Sequence, residues 1–243
     1  DMKEIHRLSQ KYGFRIIEDA SHALGALYDG EKVGNCLYSD FTIFSFHPVK
    51  MITSGEGGMA LTNDSDLARK ARLFSSHGIT SNGEEMDPRP DDEIWNYQQI
   101  ELGFNYRMTD IHAALGISQM NRLDEFLLKR RKLAKRYDEL LKELPVITPY
   151  QDDASLSSYH LYLLKVDSGI QRTIYESLSS DGIKVNLHYI PVYRQPYFIK
   201  LGFEKDYCKN AEEYFKSILT IPLYTGLSFD DQDRVIESIT KSV

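Results

Sequence analysis

The chain has 243 residues, 42% hydrophobic and 27% charged, a composition that excludes a disordered or fibrous protein and leaves room for a real core. Lys plus Arg number 29 against 36 Asp plus Glu, a formal net charge of −7, which argues against a general nucleic-acid surface or an anionic-membrane surface. Its two cysteines, Cys36 and Cys208, form no metal spacing and no disulfide framework, and no apolar run has the length of a membrane span, so a reducing, cytoplasmic setting is expected.

Residues 1 to 14, DMKEIHRLSQKYGF, read as an amphipathic helix already under way, with Ile5, Leu8 and Tyr12 on one face and Gly13 as its stop. A start inside a βαβ unit is therefore expected. Phe14 to Glu18 reads as a short buried strand. Asp19 follows it, and His22 lies three residues further on, where a helical turn would set it on the same side as Asp19. Open α/β sheets bind ligands at the C-terminal ends of parallel strands, which is where this carboxylate falls. As a residue on its own, His22 is equally a satisfied core histidine.

After a turn over Val33 to Tyr38, Asp40 to His47 and Met59 to Thr62 read as strands flanking a polar loop that holds Pro48, Lys50, Ser54 and the glycines 55, 57 and 58. A lysine amine in such a loop becomes a nucleophile if it is partly desolvated or set near other charge. A solvated lysine on a Gly-rich hairpin is the commoner case and stands beside that reading. Ser45 is either a ligand-binding hydroxyl or a serine bonded to backbone, and Glu56 is read as pairing within the loop.

A helix from Ser65, capped by Ser65 or Asp64, carries Leu67, Ala71 and Phe74 on its apolar face and ends at Gly78. Residues 79 to 98 are polar, acidic and Pro-bearing, the pattern of a long exposed loop. Thr109 or Asp110 caps the next helix, with Ile111, Leu115, Ile117, Met120, Leu123 and Leu127 expected as a buried stripe. The following stretch to Leu144 is basic at Lys129, Arg130, Arg131, Lys132, Lys135 and Arg136. That side is expected to face solvent, opposite a buried side of Leu133, Tyr137 and Leu141.

Two domains are expected: 1–144, the C-terminal portion of a ligand-binding domain with its connecting helices, and 145–243, a small α+β domain. The latter should hold strands at 160–167 and 183–193, a helix at 173–182, and helical segments at 211–224 and 230–243.

Three stretches together, EDASHALGA (18–26), SFHPVKMITSGEGG (45–58) and ELGFNYRMTDIHAALGISQMNRLD (101–124), resemble the DegT/DnrJ/EryC1/StrS family of sugar aminotransferases over essentially the whole chain. The resemblance implies an α/β fold: part of the large, mostly parallel-sheet domain of a fold type I transferase dependent on pyridoxal 5′-phosphate (PLP), plus the smaller C-terminal α+β domain. It also implies a further N-terminal portion carrying the phosphate cup of the cofactor.

PLP enzymes need a lysine to bond the cofactor and an acid for its ring nitrogen, and by resemblance these are Lys50 and Asp19. His22 is implied beside the ring, Ser45 on the cofactor phosphate, and Asn105 on the phosphate of the other subunit of a homodimer with shared active sites. Arg107 is implied at a substrate phosphate or, equally, a backbone carbonyl. HYIPVYRQPYF (188–198) resembles the branch acting on UDP-4-keto-6-deoxy-N-acetylhexoses in the pseudaminic acid pathway, which makes His188 and Tyr189 the sugar contacts. The implied reaction moves an amino group from an amino acid, glutamate by family expectation, to a nucleotide keto-sugar. A same-fold sugar dehydratase would carry histidine where this chain has Lys50. A catalytically silent PLP-fold regulator or binding protein would have no chemical need for Asp19, Ser45 and Lys50 together.

Overall fold

The computed structural model describes residues 1–88 and 93–243, and the chain divides into two compact units, Asp1–Leu123 and Asp124–Val243. In the first unit, helix α1 (Met2–Tyr12) starts at Asp1, whose carboxylate accepts from the Glu4 N–H at 3.0 Å, and stops at Gly13, held left-handed at φ 74°. Its Ile5 and Tyr12 are exposed and Ser9 is its buried residue.

Strand β1 (Ile17–Asp19) is followed by a short hairpin, β2 (Leu27–Tyr28) with β3 (Glu31–Lys32), and then by β4 (Phe41–Ser45) and β5 (Gly58–Leu61). The β-branched and aromatic run of β4 lies between β1 and β5 in a three-stranded sheet, with Thr42 and Phe44 buried. β1 pairs with β4 in parallel and β5 pairs with β4 antiparallel, so the α/β character holds but the expected mostly parallel sheet is here a mixed one. Asp40 aligns the parallel pair. Its Oδ2 accepts from the Ile16 N–H at 2.8 Å and its Oδ1 from Arg15 Nη1 at 2.6 Å. Of the expected buried strand Phe14–Glu18, Ile16 is buried, whereas Phe14 is exposed and Ile17 is 70% exposed, and β1 itself begins only at Ile17.

Asp64 is the cap of α2 (Ser65–Ser75), accepting from the N–H groups of Asp66 (2.8 Å) and Leu67 (3.1 Å); Leu73, not Phe74, is its buried residue. The expected loop 79–98 is closed at its base, where β6 (Ile79–Thr80) pairs with β7 (Gln98–Gln99). Residues 89–92 of that loop lie outside the described residues.

Thr109 caps α3 (Asp110–Met120), its hydroxyl oxygen accepting from the His112 N–H at 3.2 Å. Of the expected stripe, Leu123 and Leu127, beyond this helix, are buried, but the part along α3 is absent. No residue of the helix is buried, Ile111 is 82% exposed and Ile117 66% exposed. At about 100° per residue, Ile111, Leu115, Ile117 and Met120 are spread around the helix instead of lining one face.

The second unit is organised on α4 (Leu123–Leu141), whose Leu133, Ala134, Tyr137 and Leu141 enter one core. After a short strand β8 (Ser155–Leu156), that core receives Tyr162 and Leu164 from β9 (Tyr162–Lys165) and Ile174 and Leu178 from α5 (Gln171–Ser180). Beyond α6 (Pro196–Lys200) and α7 (Lys209–Phe215), Leu219 and Ile221 of β10 (Ile218–Ile221) and Val235 and Ile239 of α8 (Phe229–Thr240) complete it. The compact units therefore divide before α4 and not at the expected 144/145 boundary, because the apolar face of α4 is part of the second core.

β9 pairs with β10 antiparallel, Tyr162 opposite Ile221. The strand expected over 183–193 contributes one bridge, Asn186 to Thr220, and the segment 211–224 expected as helix splits into α7 and β10. Nor is the basic side of α4 uniformly solvated. Arg130 is buried and its Nη1 donates to the carbonyl oxygens of Tyr159 (3.0 Å), His160 (3.3 Å) and Leu223 (2.9 Å), while Arg136 Nη2 donates to Asp233 Oδ1 at 2.6 Å.

Candidate active site

Because β1 and β4 run parallel with Asp19 opposite Ile43, they leave the sheet at the same end. Asp19 closes β1 there, and the loop bearing Lys50 leaves β4 there. Asp19 Oδ1 accepts two hydrogen bonds from one residue, the Ser21 hydroxyl at 2.5 Å and the Ser21 N–H at 3.1 Å. Those bonds hold the Asp19 carboxyl below the usual carboxylate range against a smaller opposing effect of desolvation, and the charges of His22 and Lys50 add in the same direction. His22 and Lys50 thus both lie within electrostatic reach of Asp19.

The Lys50 loop is built on its own backbone. The Lys50 N–H donates to the His47 carbonyl at 2.9 Å, closing the turn through Pro48, and Phe46 exchanges bonds with the far side of the loop, donating to Gly57 O (2.8 Å) and accepting from Ser54 N (3.0 Å) and Thr53 Oγ1 (3.1 Å). At Gly57, φ is 155°, and a Cβ there would lie 2.5 Å from Ser54 Oγ and 2.6 Å from Met108 Cε. Glycine is needed for the loop to fold onto itself and onto Met108. Lys50 is half-buried in this arrangement. Ser45, also half-buried, accepts from the His47 N–H at 3.4 Å, and His47 Nε2 lies 3.9 Å from Glu56 Oε1, within the loop.

Asn105 and Arg107 are exposed on a segment that runs back along the end of α2. Phe104 N–H donates to Phe74 O at 2.6 Å, Tyr106 N–H to Ser75 O at 2.9 Å, and Ser76 bridges Asn105. Two glycines allow this approach: a Cβ on Gly103 would sit 2.2 Å from Gly78 N, and one on Gly78 would sit 1.9 Å from Glu101 O. Met108 carries the segment on to the Lys50 loop. His188 and Tyr189 belong to the second unit, where His188 Nδ1 is 2.7 Å from Thr220 Oγ1 and Tyr189 is exposed.

Sequence reasoning passed over Ser21, Met108 and Thr220. Only Ser21 had a legible signal, a serine two residues after an aspartate, the spacing of a side-chain-closed turn. Among the described residues no helix is long and apolar enough to cross a membrane, and no group of three or more His, Cys, Asp or Glu could hold a metal ion.

Over 243 residues the chain is 39% identical to the UDP-4-amino-4,6-dideoxy-N-acetyl-beta-L-altrosamine transaminase of Campylobacter jejuni, an alignment covering 98% of this chain and 61% of that protein. Among solved structures it is similar to Helicobacter pylori PseC, an aminotransferase involved in the biosynthesis of pseudoaminic acid, at 30% identity and a TM-score of 0.88, covering 100% of this chain and 63% of that one. A Streptococcus pneumoniae structure in its PMP form matches at 30% identity and a TM-score of 0.86, covering 97% of this chain and 60% of that one. Its PLP form matches at 28% identity and a TM-score of 0.84. The chain thus spans about three fifths of the length of the relatives it matches. The model of the DegT/DnrJ/EryC1/StrS aminotransferase family matches residues 1–240, and the chain belongs to that family.

Proposed function

We propose that this protein is a PLP-dependent aminotransferase that moves an amino group from an amino acid, glutamate by expectation, to a nucleotide-linked 4-keto-6-deoxy sugar. The names of the Campylobacter and Helicobacter relatives support a UDP-sugar of pseudoaminic acid biosynthesis as the substrate class, and a place in surface-polysaccharide or flagellin-glycan synthesis is part of the same proposal. The observation that carries the reading is the gathering of Asp19 and Lys50 at the same end of two parallel strands, one ionised and the other within reach of its charge.

The residues present fit the cofactor. Lys50 would bond it, Asp19 would face its ring nitrogen, His22 would lie beside the ring, and Ser45 would bind its phosphate, with Asn105 reaching the phosphate in the other subunit of a cytoplasmic homodimer. When bound, PLP supplies an electron sink and carries the amino group between donor and acceptor. Asp19, kept ionised by Ser21, His22 and Lys50, favours the protonated ring nitrogen. The Lys50 amine would serve as the base that takes the proton from the donor α-carbon. Arg107 is proposed to hold a substrate phosphate, and His188, its ring fixed by Thr220, to contact the sugar together with Tyr189.

Borohydride reduction of the full-length protein with PLP, followed by peptide mass mapping, tests the reading. Cofactor mass fixed on Lys50 supports it, and an unlabelled Lys50 in folded protein with excess cofactor overturns it in favour of a silent PLP-fold protein.

A further inference from the structure

We propose that Ser21 is the positioning residue for Asp19, holding Oδ1 from both its hydroxyl and its backbone N–H so that Oδ2 is the oxygen presented to the cofactor ring nitrogen. The inference rests on the aminotransferase reading and assigns a role to a residue outside the set named above. A carboxylate has two equivalent oxygens and rotates between them unless one is fixed. Here the two donors of a single residue converge on one oxygen, at 2.5 and 3.1 Å. Ser21 sits in the turn directly after β1, next to buried Ala20, whose N–H donates to Ile43 O at 2.9 Å, so the anchor is itself tied to the sheet.

The charged groups facing Asp19 among the described residues are His22, from the same turn, and Lys50, from the loop after β4. Both favour the ionised carboxylate. The two Ser21 bonds fall on Oδ1. Charge-assisted hydrogen bonds from hydroxyl to carboxylate are short and strong, and removing one raises the proton affinity of the carboxylate. The bland alternative is a turn serine that only shapes the chain. It makes a different forecast, since shaping the turn would not move a titration.

The test uses full-length protein loaded with PLP and the variants Ser21→Ala and Ser21→Thr. Ser21→Ala is expected to be labelled at Lys50 by borohydride as the parent is, to bind PLP about tenfold more weakly, and to show the acid-side midpoint of the bound cofactor's visible absorbance at higher pH. Ser21→Thr, which keeps the hydroxyl, is expected to restore both the midpoint and the affinity to within about threefold of the parent. A Ser21→Ala protein matching the parent in midpoint and affinity, or a Ser21→Thr protein as impaired as Ser21→Ala, overturns the inference and leaves the aminotransferase reading intact. A parent that takes no label at Lys50 overturns both.

Discussion

In the second unit Tyr137, Leu141, Tyr162, Leu164, Ile174 and Leu219 expose no surface at all, whereas in the first unit Ile17, Leu102, Ile111 and Tyr106 are each at least 70% exposed. The second unit gathers its apolar residues from α4, β9, α5, β10 and α8 into one closed core. The first is built on a three-stranded sheet, with capped helices and close glycine contacts. Asp19, His22, Ser45 and Lys50 all lie in that open unit. The first unit has its own buried set, Ile16, Ala20, Leu24, Phe44, Met51 and Ile52 among them, and it carries every residue proposed to hold the cofactor.

Lys50→Ala is the sharpest test of that contrast, because it removes the proposed proton carrier from a loop whose shape depends on Phe46, Ser54 and Gly57 instead. Transamination by the full-length protein is expected to fall by about 10³-fold or more, with the thermal midpoint unchanged; a comparable loss of stability would mean that the loop leans on the lysine for packing. Ile174→Ala addresses the closed core. A fully buried isoleucine is expected to cost about 2–5 kcal/mol in urea unfolding, and a cost near zero would show that this core is not the stabilising one.

Gly103→Ala probes whether the first unit has any rigid contact of its own. The added Cβ would meet backbone at Gly78 N, so a loss of about 3 kcal/mol is expected, together with a displaced Asn105. Asp40→Asn gives the smallest effect. Hydrogen bonds from the Ile16 N–H and Arg15 keep the Asp40 carboxyl below its ordinary 3.8, so its contribution is full above that value and is lost as pH falls through the folded one. The variant should therefore lose less stability than the parent as pH falls below about 3.8, read by acid titration of ellipticity.

The separation between what was legible in the sequence and what was not follows local against long-range physics. The Gly13 stop, the Asp64 cap, the β4 strand and the Lys50 loop depend on neighbours within a few residues, and each was readable. That Asp19 and Lys50 belong to one site was expected from the resemblance, and the parallel register of β1 and β4 sets Asp19 and the Lys50 loop at the same end of the sheet. β10 was missed because Ile218 to Ile221 are all buried, Thr220 included, and so show no alternation to separate strand from helix. The α3 stripe failed because counting apolar residues does not fix their angles around the axis. Arg130 was misread because a cation in a basic cluster looks solvated until the carbonyls that receive it are known. Ser21 escaped notice as one small residue among several.

Arg130 has a consequence for how the second unit opens. Its guanidinium joins α4 to the backbone at Tyr159, at His160 and, far along the chain, at Leu223, with no carboxylate among the acceptors named. Burial lowers its proton affinity, yet an arginine starts so high that it stays charged across the range in which proteins fold, and freeing any one of these carbonyls leaves a cation less well solvated inside apolar surroundings. The three segments consequently share one opening event. Amide hydrogen exchange is therefore expected to show the 159–160 stretch and the turn at Leu223 opening together.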